Sequence, residues 1–348
     1  MNLRTLFRHR SVWMGIAILF VVFYHTEQLI PGTLLANIRK IAYGGADIFL
    51  FASGLGAYIS YTRDCDATAF IMRRIKRLAP VYLPFIVVWG FYKYFMGGFP
   101  IRAVIGNFLA VQGFTELGNE FNWYITCLVT VYLLTPFFAG LINRMNGPHS
   151  FFLLLLFLLI VTIPFWSTLN SIIVVTRLPI FVIGMYFARM SEDGKMRVSG
   201  KLAMILAGSM LVGIMLLILF FEKYDDYLWR FGLYWYPFIL ITPGLCIFIS
   251  AFAEMLWENK IARVFLDLLK RIGEYSFEIY LVHLLCFDVY YNYLIPENIL
   301  PHSRRAVVLV LMCVPLLCLI LRMCSKGCIK GVEVHEKSKD HRHENSVL

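Results

Sequence analysis

The sequence is short of charge. Asp, Glu, Lys and Arg make up only 16% of its 348 residues, against about 25% in an ordinary soluble domain. That shortage excludes a soluble globular protein and a charged, disordered chain. Acidic residues are the scarcer sign, 22 against 32 Lys and Arg, for a formal net charge of +10. No small-residue cleavage site follows the first apolar run, so that run is expected to stay in the protein as its first helix instead of leaving as a signal peptide. Its eight cysteines lie mostly inside apolar runs, where Cys acts as a small apolar residue, which excludes a small disulfide scaffold. No internal repeat relates the two halves, although many transporters carry one.

Hydrophobicity is what the chain has in excess: 59% of residues are hydrophobic, 16% are aromatic, and the mean hydropathy is +0.71. Runs of about 20 apolar residues are long enough to cross a hydrocarbon core of about 30 Å as helices. The sequence therefore predicts an all-α, polytopic membrane bundle of about ten spans, at 12–30, 41–61, 79–96, 121–142, 150–166, 171–188, 202–220, 230–252, 272–293 and 305–323. The apolar segment 103–115 is too short to cross and reads as a re-entrant or interfacial piece. Residues 1–325 form the expected membrane domain, and 326–348 a polar cytoplasmic tail expected to be disordered.

With both termini in the cytoplasm, 23 of the Lys and Arg residues fall on the inner side, eight at the outer ends and Arg177 within a span. This asymmetry sets the expected orientation and an even number of spans. It also accounts for the basic charge without nucleic acid. In the tail, Cys324 and Cys328 read as ordinary thiols, and His335, His341 and His343 as solvated residues; no metal site is expected.

Ionisable residues inside a bilayer are costly and are candidate functional residues. At the helical rise, His25 lies about 20 Å above the inner face and so about 10 Å below the outer one. Asp47 and Arg177 each enter from outside by about 9 Å, and His283 lies about 17 Å up, near the midplane. Four polar residues from four spans thus share one slab. Histidine is suited to proton transfer near neutral pH, and an Asp beside it can hold its tautomer. Asp47 could equally pair with Arg177 and cancel two buried charges. A second feature is the run Arg73-Arg74-Ile75-Lys76-Arg77 after the second span. Arg forks bind phosphate in bidentate fashion, but on residue chemistry alone a lipid-headgroup anchor is the favoured reading of this run.

At these positions the sequence resembles the membrane-bound acyltransferase-3 family. Met14-Gly15-Ile16 through Phe23-Tyr24-His25 is similar to its first-helix motif, and Gly44-Gly45-Ala46-Asp47 through Ser53-Gly54 to its second. Arg74 and Arg77 match its Arg-x-x-Arg segment. Asn122-Trp123-Tyr124 through Thr135-Pro136, Arg177-Leu178-Pro179 through Gly184, and Gly273-Glu274-Tyr275 through Tyr280-Leu281-Val282-His283 resemble its later blocks. Two positions depart from the pattern. Met14 stands where the family usually has Arg or Lys, with Arg10 one turn earlier, and Thr126 and Cys127 stand where some members carry acids.

The resemblance implies transfer of an acyl group, usually acetyl, from cytoplasmic acyl-CoA to a carbohydrate hydroxyl of the cell envelope. His25 is the implied catalytic residue, aided by Asp47. Arg73, Arg74 and Arg77, with Arg10, are the expected donor-binding residues, and Trp123, Arg177, Tyr280 and His283 the supporting or acceptor-binding ones. Acetyl-CoA or another acyl-CoA serves as donor substrate, with no tightly bound cofactor. Expected partners are the carbohydrate or lipid-linked glycan acceptor, membrane lipids and a second copy in a homodimer. The implied location is the inner cell membrane. Two other classes fit the same polar slab: a transporter or flippase of a lipid-linked glycan, and an inactive membrane partner, the latter favoured by Met14.

Overall fold

The computed structural model of the chain describes residues 8–26, 33–114, 122–165, 169–192, 198–222, 228, 232–297, 299–301 and 303–344. Arg4, Lys195, Arg197, Lys223 and Arg230, which entered the charge asymmetry, lie outside them, as do the side chains of Cys328 and the tail histidines. Among the described residues there is no strand. In chain order the helices are α1 (Arg10–Tyr24), α2 (Thr33–Ile41), α3 (Gly45–Thr62), α4 (Ala67–Phe95), α5 (Ile101–Phe108), α6 (Trp123–Arg144), α7 (Pro148–Val161), α8 (Leu169–Val175), α9 (Leu178–Glu192), α10 (Gly200–Glu222), α11 (Tyr236–Leu256), α12 (Lys260–Glu274), α13 (Ser276–Val289) and α14 (Arg304–Glu344).

Among the described residues, seven helices are long and apolar enough to cross a membrane: Ala67–Phe95, Trp123–Arg144, Pro148–Phe165, Ile172–Ser191, Gly200–Phe220, Tyr236–Leu256 and Arg304–Lys326. They fall on seven of the expected spans, and the chain is a multi-pass membrane protein. The other three expected spans fall on α1, α3 and α13, which are shorter or less apolar. The reason is visible in the residues. These three helices carry His25, Asp47 and His283, and polar residues and breaks dilute or shorten them. The first ends at Tyr24, short of the expected 30. A 3-10 turn, Ala42–Gly44, delays α3 to Gly45. Tyr275 separates α12 from α13, which then passes into a π turn at Tyr290–Leu294. Segment 103–115 is, as expected, no span: it holds the end of α5 and the 3-10 turn Gln112–Phe114.

The chain divides into two compact units, one of Met1–Ile71 with Leu109–Ser276, the other of Met72–Phe108 with Phe277–Leu348. In the first, α9 is the most enclosed crossing helix, whereas α7 and α10 bury about a fifth of their apolar stretch. Apolar side chains such as Phe152 and Phe157 of α7 and Leu211 and Met215 of α10 face outward, the pattern of a lipid-facing surface. Small residues set a close crossing. A Cβ on Gly54 would sit 2.0 Å from the carbonyl oxygen of Phe181, and one on Gly184 2.3 Å from that of Phe51. The backbones of α3 and α9 touch there, as membrane helices do at small-residue positions.

At the start of α4, Asp66 Oδ1 accepts from Thr68 N and Ala69 N at 2.8 and 3.1 Å and caps the helix, which runs on from the first unit into the second. Pro80 and Pro84 lie inside α4, each forgoing one backbone hydrogen bond. Lys93 near the end of α4 donates to Asp288 Oδ1 of α13 at 2.7 Å. Tyr82 Oη donates to the carbonyl of Asn107 at 2.6 Å.

Candidate active site

His25 does not lie within a continuous helix, as the apolar run 12–30 suggested; it is the residue on which α1 ends. The helix needs about 22 Å for its fifteen residues, so His25 sits one helix length from Arg10. Its ring meets that of Tyr24 edge-on at 5.1 Å. The end of α1 is satisfied from α2: Arg39 Nη1 donates to the carbonyl of Tyr24 at 2.9 Å. A cation at a helix C-terminus is favourable, and this one also acts electrostatically on His25. The half-buried imidazole therefore stands where the chain leaves the helix, and residues 27–32 beyond it lie outside the described part.

Asp47 enters from the next helix. The pair Gly44-Gly45 brings the start of α3 close to its neighbours: a Cβ on Gly45 would lie 2.4 Å from the carbonyl oxygen of Ala17 on α1, and one on Gly44 2.0 Å from the Phe238 ring. Asp47 falls in the first turn of α3, where the helix dipole favours an acid. Of the two partners weighed for it, Arg177 is the one held: Arg177 Nε lies 3.2 Å from Asp47 Oδ1, with both residues 1% exposed.

Arg177 occupies the turn between α8 and α9. Its guanidinium lies between two indoles, 5.4 Å from Trp123 and 5.0 Å from Trp235. Trp123 is the first residue of α6. Trp235 is delivered by a turn that begins at Gly232, whose φ of +69° favours glycine and where a Cβ would meet Thr176 at 2.8 Å. Two desolvated cation–π contacts and an ion pair thus hold one cation. Asp47 Oδ2 and both Nε and Nη1 of Arg177 are buried with no hydrogen-bond partner among the described residues, so the ion pair is a charge contact without a hydrogen bond. A buried donor and a buried acceptor left unmade cost free energy, so the centre is chemically suited to a hydroxyl that both accepts and donates.

Tyr43 joins this centre to the end of α1. Its ring meets Tyr24 at 5.8 Å and Phe238 at 5.2 Å. Its hydroxyl donates to the carbonyl of Tyr234 at 2.7 Å, and both Arg177 and Asp47 act on it electrostatically. Tyr43, Tyr24, Trp235 and Arg39 were not singled out from the sequence. The available signals were the aromatics at the mouths of two spans: Tyr43 directly before Gly44-Gly45, and Tyr234-Trp235-Tyr236 before α11.

The expected donor residues divide between the units. Arg10, the first residue of α1, packs in the first unit against α3: a Cβ on Gly56 would lie 3.2 Å from Arg10 Nη1. Arg73, Arg74 and Arg77 belong to the second unit. Although they precede the expected span 79–96, they lie in the opening turns of α4 and not in a loop, because capping by Asp66 moves the helix start twelve residues before that span. Arg74 is 8% exposed while Arg77 faces outward. In that same unit His283 is fully buried, its Nδ1 is 2.7 Å from the carbonyl of Ile279, and its ring meets Tyr280 and Phe287 edge-on at 5.9 and 6.5 Å. The structure thus brings Asp47, Arg177 and Trp123 into one contact set, with His25 reached from it through Tyr43 and Tyr24. Tyr280 and His283 meet each other within the second unit.

The model of the acyltransferase-3 family, described as an acyltransferase domain, matches residues 14–323. Neither the curated proteins nor the solved structures hold a match to the chain.

Proposed function

The chain belongs to the acyltransferase-3 family, and from that premise we propose that it transfers an acyl group, acetyl in the first instance, from acyl-CoA on the cytoplasmic side to a hydroxyl of a cell-envelope carbohydrate. In this reading both termini are cytoplasmic, the membrane is the inner one, and the donor meets the end of α1 that carries Arg10. The supporting observation is the half-satisfied Asp47–Arg177 centre walled by Trp123 and Trp235, near the opposite end of α1 from Arg10. A sugar presents both an apolar face that stacks on indole and hydroxyls that can supply the missing donor and acceptor.

The chemistry balances with one proton carrier. His25 removes the acceptor hydroxyl proton as its oxygen attacks the thioester carbonyl. The tetrahedral intermediate collapses, the C–S bond breaks, and the CoA thiolate takes the proton back. Alternatively His25 carries the acyl group between two such steps. Asp47 works through Arg177 as a positioning residue, and Trp123 offers the stacking surface. Arg74, Arg77 and Arg73 hold the CoA phosphates, with Arg10 replacing the charge that Met14 does not provide. Tyr280 and His283 take the supporting roles in this reading.

The test is incorporation of labelled acetyl from acetyl-CoA into glycan by membranes holding wild type or His25→Ala at matched levels. Loss of product with retained insertion is expected. Near-normal product from His25→Ala removes His25 from the reaction, and no incorporation by wild type returns the transporter reading.

A further inference from the structure

One helix of the first unit has no part in this reaction. Asn259 caps α12 through its side-chain oxygen, which accepts from Ile261 N and Ala262 N at 3.0 and 3.1 Å. At 100° per residue the helix carries three strips. The first, with Leu266, Leu269 and Gly273, packs on α1; a Cβ on Gly273 would lie 1.9 Å from the carbonyl oxygen of Ser11. The second, Ile261, Val264, Phe265 and Leu268, is apolar and between 55% and 74% exposed. The third is charged, with Lys260, Arg263, Lys270, Arg271 and Glu274 exposed and Asp267 half-buried among them. A helix that exposes an apolar and a cationic strip side by side satisfies both only where hydrocarbon adjoins water.

Its surroundings say what covers the apolar strip. Between α1, α11 and α12 runs a groove of about 460 Å³, lined by Val12, Ile16, Phe248, Phe252, Ala262 and Phe265 among others, nearly all of it apolar. Phe252 and Phe265, both more than half exposed, lie along its open side. Phe252 and Met255 continue the outward, lipid-facing flank of α11, a membrane-crossing helix. The occupant is therefore drawn from the bilayer. Next to the groove stands Trp257, with the guanidinium groups of Arg8 and Arg263 over its ring at 5.1 and 5.2 Å. Arg8 is committed to Glu254 at 3.0 Å. Arg263 has Asp267 at 4.0 Å with both side chains half exposed, so it keeps capacity for a phosphate.

We infer that α12 with this groove is a phospholipid site: an acyl chain of an anionic lipid lies between α1, α11 and α12, and its phosphate rests on the cationic strip beside Trp257. The excess of four cations over two acids on α12 selects the anionic headgroup. The aromatic ring at this depth fits the membrane–water interface. The lipid so held packs against the first turns of α1, the helix that carries His25 at its other end.

Native mass spectrometry of the full-length protein, titrated with dioleoyl phosphatidylglycerol, dioleoyl phosphatidylcholine or glycerol 3-phosphate alone, tests this. Wild type should bind phosphatidylglycerol several-fold more tightly than phosphatidylcholine and should not bind glycerol 3-phosphate. Arg263→Ala should lower the preference for phosphatidylglycerol about fivefold, the weight of one cation near a membrane surface. Ala262→Trp, which fills the groove, should weaken both lipids alike. Phe265→Ala, an exposed change with little bearing on folding, should do so less strongly. Equal binding of the two lipids, wild-type binding by both groove variants, or binding of glycerol 3-phosphate as strong as that of the lipid each overturns the inference.

Discussion

Replacing Arg177 by Met should destabilise the protein more than replacing Asp47 by Asn, although both break the same ion pair. Removing one partner of a buried pair costs about 3–5 kcal/mol, because the other charge is left uncompensated. Asp47→Asn sits at the low end, about 3 kcal/mol, since the Asn side-chain oxygen still turns a partial negative charge toward the guanidinium. Arg177→Met loses the pair and also both ring contacts, at 5.4 and 5.0 Å. Each such contact contributes about 0.5–2 kcal/mol when desolvated, so the two variants should differ by about 1 kcal/mol or more. In the double variant, the two losses should fall short of additivity by about 1–3 kcal/mol, as expected for side chains in contact. Reversible unfolding in mixed micelles, followed by circular dichroism, measures all four proteins. Equal losses in the two single variants, the reverse order, or strict additivity in the double variant would refute the account of Arg177 as a cation held jointly by one carboxylate and two indoles.

Other outcomes follow from the same structure. Arg74→Ala and Arg77→Ala should each weaken CoA binding about tenfold by isothermal titration, the loss of one charge-assisted contact, with Lys restoring only part because the fork is gone. Unchanged affinity would make the segment a lipid anchor, and unchanged affinity in Arg10→Ala would leave Met14 without a substitute. Gly54→Ala should cost about 1–3 kcal/mol by overpacking, since its Cβ would fall 2.0 Å from a carbonyl oxygen. Gly140→Ala, with open space around it, should not destabilise; a similar loss at both sites would dismiss the backbone contact. Trp235→Ala should raise the KM for the glycan acceptor more than the KM for acyl-CoA, and the opposite pattern would move the indole cage to the donor side.

The sequence by itself determined the class of the protein. Low charge and long apolar runs have one physical outlet, burial of backbone hydrogen bonds in helices within a bilayer, and seven of the ten expected spans fall on described helices long and apolar enough to cross one. The blocks around His25, Asp47, Arg74, Arg177 and His283 also carried the family, because their spacing is local and survives in one dimension. Helix ends were less legible. An apolar run shows where a chain can be buried, not where a capping Asp66 starts a helix or where Arg39 meets the last carbonyls of another. The contacts of the site were the least legible of all. That Asp47 holds Arg177, that Tyr43 lies within reach of both, and that Trp235 comes from a turn more than fifty residues further on depend on glycines letting backbones touch. The amphipathic pattern of α12 is present in its residues, yet only its packing on α1 separates the apolar strip that is buried by protein from the one left to the lipid. Such facts arise where close packing brings distant segments together, and no run of neighbouring residues encodes which segments those are.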